Sequence, residues 1–448
     1  MTAYLLERAW LPSTTGGGFH DDVLVEVEDG RFTLVEPDAD PHRAVPVRGL
    51  VVPGLANTHS HAFHRALRGR TQRERGTFWT WRDQMYDVAA RLDPDSYLAL
   101  ARATYREMAA AGITCVGEFH YLHHQPDGTP YDDPNELGHA LVEAARQAGI
   151  RITLLDTLYL SSGFGQPPTG AQVRYSDGDE QAWMERVDAL GTGLRPSPTG
   201  GVVVGAALHS VRAVPAEALS PVAGWVGDRP LHVHLSEQVA ENQACAAAYG
   251  VTPARLLADH GLLGPATSVV HATHLSDEDV DVIGAASACA SFCPTTERDL
   301  GDGIGPSRRL HDSGARLTLG SDSHAVIDLF EEMRAVELDE RLATQERGHW
   351  SAAELLTAAT TTGHESLGWG DAGSIAVGQR ADLVVLDPAS VRTAGTGRDE
   401  SSVVFAAVAE DVRRVMADGR WVVQEGDRAD IARELDEAIG RIWDEEHR

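Results

Sequence analysis

The sequence predicts an α/β protein: a (β/α)8 TIM-type barrel beside a small β-sandwich formed from the N- and C-terminal segments. Eight short apolar runs recur between residues 50 and 320, and helical patterns separate most of them, which is typical of such a barrel. Both chain ends instead carry short strand patterns joined by hairpin-turn dipeptides such as Asp29-Gly30 and Asp418-Gly419. The predicted units are a composite sheet domain from residues 1–52 and 375–427, a catalytic barrel over 53–374 and a C-terminal helix over 428–448.

The elements of the predicted barrel follow one another in order along the middle of the chain. Pro94 and Ser276 are start signals for two of the helices. Residues 160–200 are the weakest part of the pattern, since 161–168 and 191–201 both have loop composition. The strand-like runs are 50–55, 113–118, 152–158, 202–208, 231–235, 268–272, 288–292 and 317–320, and the helical patterns are 95–111, 135–147, 237–249, 277–285 and 329–341.

The two chain ends supply the strands of the smaller predicted domain. Residues 23–27 and 32–35 flank the first hairpin turn. The last predicted element, over residues 431–443, is a surface helix. The C-terminal strand-like runs are 381–387, 403–408, 412–416 and 421–423.

Composition narrows the classes of partner. The net charge of -29 argues against nucleic acid or an anionic membrane surface as a partner. No run of about 18 uncharged apolar residues predicts a membrane span, and the N-terminus lacks a signal-peptide pattern. The four cysteines lie in apolar segments without the spacing of a disulfide framework, which favours a reducing cytoplasm. Cys289 and Cys293 are either small core residues or a ligand pair.

Histidines and acidic residues follow several of the predicted barrel strands. His59 and His61 sit at i and i+2 on an extended segment, so their side chains share a face. Because the carboxyl ends of barrel strands open on one face, these side chains are expected to meet there. Three histidines and one aspartate are a ligand set for a divalent metal. The residues in question are His59, His61, Glu118, His120, Tyr121, His209, Arg212, His232, His234, Glu237, His271, His274 and Asp322.

Several of these residues have a second interpretation. Both His232 and His234 could face the cavity, and His234 is favoured because it lies nearer the strand end. Asp322 could instead cap a helix, and Glu237 could belong to the first turn of the helix that follows it. Arg212 could be an ordinary salt-bridge residue.

Motifs spread over the whole chain resemble those of the amidohydrolase superfamily. They are PGLANTHSH (53–61), HLSE (234–237), HATH (271–274), GSDS (320–323) and GQRADLVVLD (378–387). No lysine lies near the end of the fourth strand to bridge two metals, and HLSE matches the His-x-x-Glu of the mononuclear deaminase branch. The resemblance implies a soluble, metal-dependent enzyme.

TFWTWR (77–82) and EFHYLHH (118–124) resemble, more narrowly, the formimidoylglutamate deiminases of bacterial histidine degradation. This resemblance implies a small dicarboxylate substrate, a homodimer and one divalent metal ion, with zinc expected and iron or manganese also compatible. His64 departs from the glutamine that the family carries after Ala-Phe, which leaves the exact substrate open. By resemblance, the metal ligands are His59, His61, His234 and Asp322, and the substrate contacts are His64, Arg82, Tyr121, His209 and Arg212.

The same residue types suit hydrolytic deimination. A divalent metal lowers the pKa of a bound water from about 15.7 to about 7, which supplies a nucleophile for a formimino carbon. Asp322 is predicted to take a proton from the metal-bound water, and His271 to orient or polarise that water. Glu237 is predicted to carry a proton to the nitrogen that leaves as ammonia. Arg82 and Arg212 match the two carboxylates of a glutamate derivative, although Arg82 could instead stack on Trp79 or Trp81.

Two other functions remain open from the sequence. One is a related deaminase acting on a heterocycle of the guanine, adenosine or triazine type, which would need an aromatic, amide-lined pocket. The other is a barrel that keeps its metal for assembly without catalysis, which the presence of Glu237 and His271 argues against.

Overall fold

A computed structural model of the protein describes residues 1–12, 17–40, 44–72, 78–194 and 201–443, and it confirms the predicted fold class. Eight parallel strands, β5 to β12, form the barrel in sequential order, and a seven-stranded mixed sheet lies beside it with the order β15-β14-β13-β4-β1-β2-β3. The strands are β1 Thr2–Leu11, β2 Gly18–Glu28, β3 Arg31–Glu36, β4 Val45–Pro53, β5 Leu55–Ser60, β6 Ile113–His120, β7 Arg151–Leu158, β8 Val202–Leu208, β9 Leu231–Leu235, β10 Thr267–His271, β11 Cys289–Phe292, β12 Arg316–Leu319, β13 Leu383–Leu386, β14 Val412–Ala417 and β15 Arg420–Val423.

Helices follow most of the barrel strands and cover the outside of the barrel. Shorter 3-10 segments at Ala62–Leu67, Gly170–Tyr175 and Ala409–Asp411 and a π segment at Ala358–Thr362 complete the chain. The α-helices are α1 Phe78–Arg91, α2 Pro94–Ala110, α3 Glu136–Ala148, α4 Glu180–Gly193, α5 Ala216–Val226, α6 Val239–Tyr249, α7 Pro253–Asp259, α8 Asp277–Ala285, α9 Pro294–Leu300, α10 Ser307–Ser313, α11 Leu329–Thr344, α12 Ala352–Thr357, α13 Gly363–Ser366, α14 Glu400–Phe405 and α15 Arg428–Trp443.

The position of the first barrel strand differs from the prediction. Residues 50–53 belong to β4 of the mixed sheet, where β4 pairs with β1 and β13, and the barrel begins only at β5. Gly54 separates the two strands, and a Cβ there would lie 2.2 Å from the Thr114 hydroxyl. Only glycine fits this close approach, and it is at Gly54 that the chain passes from the small sheet into the barrel.

Two further predictions were wrong. Residues 403–408 were expected to be a strand, but 400–405 form α14, whose N-terminus is capped by Asp399 and which packs on α11 and α12. The Asp399–Ser402 capping box and the helix packing therefore outweigh the strand preference of Val403 and Val404. Residues 191–193, expected to be part of a loop, are the last residues of α4, while 195–200 lie outside the described residues. The other predicted loop, 161–168, is a loop in the structure.

The barrel closes between its first and last strands at Asp322. The Asp322 N–H donates to the His59 carbonyl at 3.0 Å, and the His61 N–H donates to the Asp322 carbonyl at 3.2 Å. A Cβ on Gly320 would lie 2.7 Å from the His59 Cβ, so glycine is needed where the strands meet. Barrel closure therefore brings Asp322 against the two histidines of the first strand.

Outside the strand ends, a buried ionic network fixes helix α4 to β7. Asp156 accepts hydrogen bonds from Arg186 and from the Trp183 indole, each at 2.8 to 2.9 Å. Arg186 also pairs with Asp177 at 2.8 Å. Among the described residues, no helix has the length and apolar character needed to cross a membrane.

Candidate metal centre and active site

Four of the predicted metal ligands converge at the carboxyl ends of the barrel strands. His59, His61, His234 and Asp322 each offer a ligand atom, all within 4.8 Å of one another, and all four residues are buried. The Nε2 atoms of His59 and His234 are 3.0 Å apart. The Asp322 carboxylate oxygen Oδ1 lies 3.4 Å from His59 Nε2 and 3.3 Å from His61 Nε2. Side chains at the ends of the first, fifth and last barrel strands thus meet at one point.

The hydrogen bonds of these histidines leave lone pairs facing that point. His61 Nδ1 donates to the Phe119 carbonyl at 3.0 Å, and His234 Nδ1 donates to the His209 carbonyl at 2.9 Å. A neutral imidazole that donates from Nδ1 carries its lone pair on Nε2. Backbone carbonyls are also usual partners of the second ring nitrogen in histidines that bind a metal.

Electrostatics favours the protonation states that metal ligands need. Burial lowers the pKa of His61 to about 3 and lowers the pKa of His59 and His234 as well, so the imidazoles are neutral. Burial by itself would raise the pKa of Asp322, but its hydrogen bond to His59 and the surrounding imidazoles lower it below the usual range. Three neutral imidazoles and one carboxylate therefore fit a divalent cation.

Glu118 supports the His59–His61 segment from the second barrel strand. Its carboxylate accepts from the Ser60 hydroxyl at 2.6 Å and from the Ala62 N–H at 2.7 Å. Burial raises the pKa of Glu118 to about 8, even though these hydrogen bonds act in the opposite direction. Sequence reasoning placed Glu118 at the strand end but assigned it no role.

The two predicted proton-transfer residues lie in the same cavity as Asp322. Glu237 precedes helix α6, which begins at Val239, so it is neither the N-cap nor a first-turn residue. Burial raises the pKa of Glu237, and the positive charges of His271 and Arg212 offset this only in part. A buried carboxyl group with a raised pKa is suited to carrying a proton near neutral pH.

His271 is the histidine of the cavity with a raised pKa. Burial alone would lower its pKa, but the carboxylates of Glu237, Glu297 and Asp322 raise it to about 10. Its Nδ1 donates to Glu297 Oε1 at 3.3 Å, and its Nε2 lies 3.8 Å from Asp322 Oδ2. His271 therefore contacts Glu297 through one ring nitrogen and faces Asp322 with the other, and its predicted role in orienting or polarising the reacting water stays a prediction. Glu297 was not predicted, although it follows the seventh strand closely.

All five predicted substrate contacts line this cavity. His64 Nε2 lies 3.0 Å from the Tyr121 hydroxyl, which joins these two predicted residues directly. Arg212 pairs with the buried Glu241 at 3.1 Å while its side chain stays 28% exposed, so it is both a salt-bridge residue and a cavity residue. The lining residues predicted from the sequence are His61, His64, Arg82, Tyr121, His209, Arg212, His234, Glu237, His271 and Asp322.

Arg82 lies in the cavity wall on helix α1. Its guanidinium carbon is 5.6 Å from the centre of the Tyr86 ring. The alternative contact of Arg82, stacking on Trp79, involves a side chain outside the described residues. Thr77, at the start of the same motif, also lies outside them.

Sequence reasoning missed the aromatic and amide part of the cavity. Tyr86 comes from helix α1, Tyr159 follows β7, and Gln172 lies in the 3-10 segment Gly170–Tyr175. That segment lies in the part of the sequence with the weakest pattern, and its Tyr and Gln residues carry no spacing signal that points to a site. The other unpredicted lining residues are Trp81, Met85, Ser162, Tyr175 and Leu300.

The remaining histidines and cysteines have other surroundings. His120 and His123 are buried with Asp156, where the paired Arg186 supplies the counter-charge. Cys289 and Cys293 are both free and buried, and the Cys293 thiol comes within 4.8 Å of ligand atoms of His271 and Asp322, a grouping that does not include Cys289.

The comparisons with known proteins agree with this geometry. Residues 50–422 match the family model described as amidohydrolase family. The chain belongs to this family. The full sequence contains no lysine, so this amidohydrolase has no residue that could become a carbamylated bridge between two metals.

Individual relatives narrow the kind of hydrolase. This amidohydrolase is 38% identical to formimidoylglutamate deiminase of Pseudomonas aeruginosa, with 99% of this chain and 100% of that protein covered. It is 27% identical to 8-oxoguanine deaminase of the same organism, with 94% and 95% covered. The relatives identify the amidohydrolase as a hydrolase of C–N bonds with a deiminase role.

Solved structures show the same fold. The amidohydrolase from Brucella melitensis aligns with a TM-score of 0.90 at 31% identity, covering 99% of this chain and 100% of that one. A zinc-bound adenosine deaminase from Xanthomonas campestris aligns with a TM-score of 0.83 at 23% identity, covering 98% of each chain, and so bears on the fold alone.

Proposed function

We propose that this amidohydrolase hydrolyses N-formimidoyl-L-glutamate to N-formyl-L-glutamate and ammonia, as a step of histidine degradation in the cytoplasm. The observation that carries the proposal is the presence of Arg82 and Arg212 in the cavity that three of the four candidate metal ligands also line. Two guanidinium groups in a protein of net charge -29 match a substrate with two carboxylates. The 38% identical deiminase supports the same substrate.

One divalent ion, with zinc as the expected metal, would be held by His59, His61, His234 and Asp322. Three imidazoles and a carboxylate suit zinc, and iron or manganese would also be compatible. When bound, such an ion lowers the pKa of water and so supplies the nucleophile for attack on the formimino carbon.

The protein residues move the protons of the reaction. The Asp322 carboxylate accepts a proton from the attacking water, and a C–O bond forms at the formimino carbon. Glu237 donates a proton to the imino nitrogen, which gives a tetrahedral intermediate that carries a hydroxyl group and an NH2 group. The proton held by Asp322 then passes to the NH2 group, the hydroxyl proton returns to Glu237, and cleavage of the C–N bond releases ammonia and leaves both carboxyl groups in their starting states. The products balance one substrate and one water. The raised pKa of Glu237 supports its role, because a protonated carboxyl group is required at the donation step.

His271 orients the reacting groups in this proposal. As an imidazolium it donates to Glu297 and faces Asp322, so it can stabilise negative charge that develops on the attacked group. A bound divalent cation would lower the pKa of His271, since like charges oppose each other.

A heterocycle deaminase is the competing candidate, and the aromatic lining of the cavity favours it. Trp81, Tyr86, Tyr121, Tyr159 and Tyr175 surround the same space, as expected for a flat ring substrate. The two arginines favour the dicarboxylate substrate, because a neutral heterocycle carries no negative charge to complement them.

Ammonia release by the metal-loaded enzyme tests the assignment. We expect Arg82→Met and Arg212→Gln to raise KM for N-formimidoyl-L-glutamate at least tenfold each and to leave turnover of an N-alkyl formamidine without carboxylates unchanged. Arg255→Met is the matched control, since Arg255 forms an exposed ion pair with Asp259. Hydrolysis of guanine or adenosine without hydrolysis of N-formimidoyl-L-glutamate would refute the proposal.

The assembly is proposed to be a homodimer, as the family resemblance implies. Sedimentation of the purified protein tests this directly, because a monomer and a dimer of a 48.1 kDa chain differ twofold in mass.

A further inference from the structure

Gln172 is hydrogen-bonded in a way that fixes the direction of its amide. Its Nε2 donates to the Tyr86 hydroxyl at 3.1 Å and to the Tyr159 hydroxyl at 2.8 Å. Its Oε1 accepts from the Thr169 N–H at 3.2 Å and from the Thr169 hydroxyl at 3.4 Å. Because a backbone N–H can only donate, the amide oxygen must face Thr169 and the NH2 group must face the two tyrosines.

This arrangement determines where the tyrosine protons point. The oxygens of Tyr86 and Tyr159 each accept a hydrogen bond from Gln172, so each hydroxyl keeps its own proton for donation. Within the part of the chain that the structure describes, neither hydroxyl donates to a protein acceptor, and both residues line the cavity. The pair therefore offers two O–H donors to whatever occupies the cavity.

Two arginine side chains lie near the two hydroxyls, and one of them, Arg212, is paired with Glu241 at 3.1 Å. The Arg82 guanidinium lies over the Tyr86 ring, and Arg212 lines the cavity with Tyr159. Burial raises the pKa of Tyr159, and the positive charges of Arg212 and Arg82 offset this only in part, so the hydroxyl stays protonated. Two O–H donors in a cavity that two arginines also line are suited to an anion with two acceptor atoms.

We propose that Tyr86 and Tyr159, oriented by Gln172, form a carboxylate-binding subsite that selects dicarboxylate substrates together with Arg82 and Arg212. Tyr86 and Tyr159 contact the substrate, whereas Gln172 is a positioning residue that acts through them. The inference rests on the proposed function, because it assigns the aromatic wall to binding of a substrate carboxylate instead of to stacking on a heterocycle.

Binding of glutarate, a dicarboxylate that cannot react, tests the subsite without turnover. By titration calorimetry of the metal-loaded enzyme, we expect Tyr86→Phe and Tyr159→Phe each to weaken glutarate binding about tenfold, which is ~1.4 kcal/mol. With N-formimidoyl-L-glutamate, the same variants should raise KM by a similar factor while kcat changes less than threefold. Tyr4→Phe, in the small sheet, is the matched control and should change neither quantity.

Two substitutions at Gln172 test the direction of the hydroxyl protons. Gln172→Glu replaces a donor with an acceptor of the same shape, so both hydroxyls should turn toward it and glutarate affinity should fall at least as far as in the Tyr86→Phe/Tyr159→Phe double variant. Gln172→Met removes the hydrogen bonds without adding an acceptor or a charge, so its loss should be smaller. Melting temperatures close to that of the wild type identify variants that have folded.

The outcomes separate this inference from the proposed reaction. If the phenylalanine variants lose glutarate affinity but the wild type does not hydrolyse N-formimidoyl-L-glutamate, the subsite is supported and the reaction assignment fails. Unchanged glutarate affinity in both phenylalanine variants overturns the subsite even if the reaction is found. A Gln172→Glu variant that binds glutarate as tightly as the wild type would also overturn the subsite.

Discussion

Glu118 and Ser60 are joined by a hydrogen bond of 2.6 Å that fixes the residue between the two histidines of the first barrel strand. The second carboxylate oxygen of Glu118 accepts from the N–H of Ala62, so both neighbours of His61 are held by one side chain. The contact joins β6 to the end of β5. It explains how the side chains of His59 and His61 can keep a fixed orientation at a strand end.

We expect Glu118→Ala to weaken zinc binding by about 10- to 100-fold, because partners that orient metal ligands contribute on that scale. Competition with a chromophoric chelator measures the change. Glu118→Gln is the control, since its amide oxygen can still accept from Ala62, and its loss should be smaller. Equal zinc affinity in the alanine variant and the wild type would contradict this role for Glu118.

Removal of the metal should lower thermal stability as well as activity. At a free zinc concentration 100 times Kd, binding to the folded state contributes about 2.7 kcal/mol. A thermal shift assay of chelator-treated protein, with and without added zinc, measures the difference. Asp322→Asn should show a much smaller zinc-dependent shift, and a shift equal to that of the wild type would exclude Asp322 as a ligand.

The Glu237→Gln variant should lose catalysis but keep its metal. General acid–base groups contribute about 10²- to 10⁴-fold, so kcat should fall within that range while KM and zinc content change little. Rapid-mixing measurement of ammonia release with parallel metal analysis tests this. Retention of more than a tenth of wild-type kcat would mean that another group carries the proton.

The Arg186 network predicts a pH-dependent effect on stability. Burial opposes ionisation of Asp156, but the Arg186 charge lowers the pKa of Asp156 below its ordinary value of 3.8. A carboxyl group with a lowered folded-state pKa stabilises the protein above the unfolded-state pKa, and this contribution is lost as the pH falls through the folded-state pKa. In Arg186→Met the buried carboxylate loses its partner, which should lower stability at pH 7 by roughly 3–5 kcal/mol.

Protonation of the unpaired Asp156 relieves that cost, so the stability gap between variant and wild type should narrow as the pH is lowered from 7 to 5. Thermal unfolding at both pH values measures the gap. Arg255→Met, which breaks an exposed ion pair, should show a small gap at either pH. A gap for Arg186→Met that widens on acidification would show that Asp156 is not the group responsible.

Strand spacing and residue type predicted a metal site at the strand ends, and the family resemblance named its four candidate ligands. His59 and His61 stand on one extended segment, and His234 and Asp322 each follow a later strand, so parallel strands in a barrel bring them to one face. The helix at 277–285 was likewise predicted with its correct bounds, because Ser276 and Asp279 form a local capping box. Local signals of this kind are readable without a structure.

Other features were hidden because they depend on contacts between distant segments. Val403 and Val404 favour a strand locally, yet the Asp399 cap and packing against α11 make the segment helical. Gly54 separates β4 from β5 only because Thr114 and Asp382 lie close to it in space. Gln172 joins the site through Tyr86, which is 86 residues away in sequence.

The sequence by itself predicted the barrel, and the family resemblance added the four candidate metal ligands and the two cavity arginines. The ligands follow short patterns at strand ends, whereas Arg82 belongs to the TFWTWR motif, which extends into helix α1. Only the tertiary structure decided the hydrogen bonding and the charges of the residues that complete the site. Only folding brings together the partners that set the O–H directions of Tyr86 and Tyr159 and the charge on His271. The same holds for the hydrogen bond between Glu118 and Ser60. Hydrogen bonds and burial act through space, so their consequences for protonation cannot be read from the order of residues along the chain.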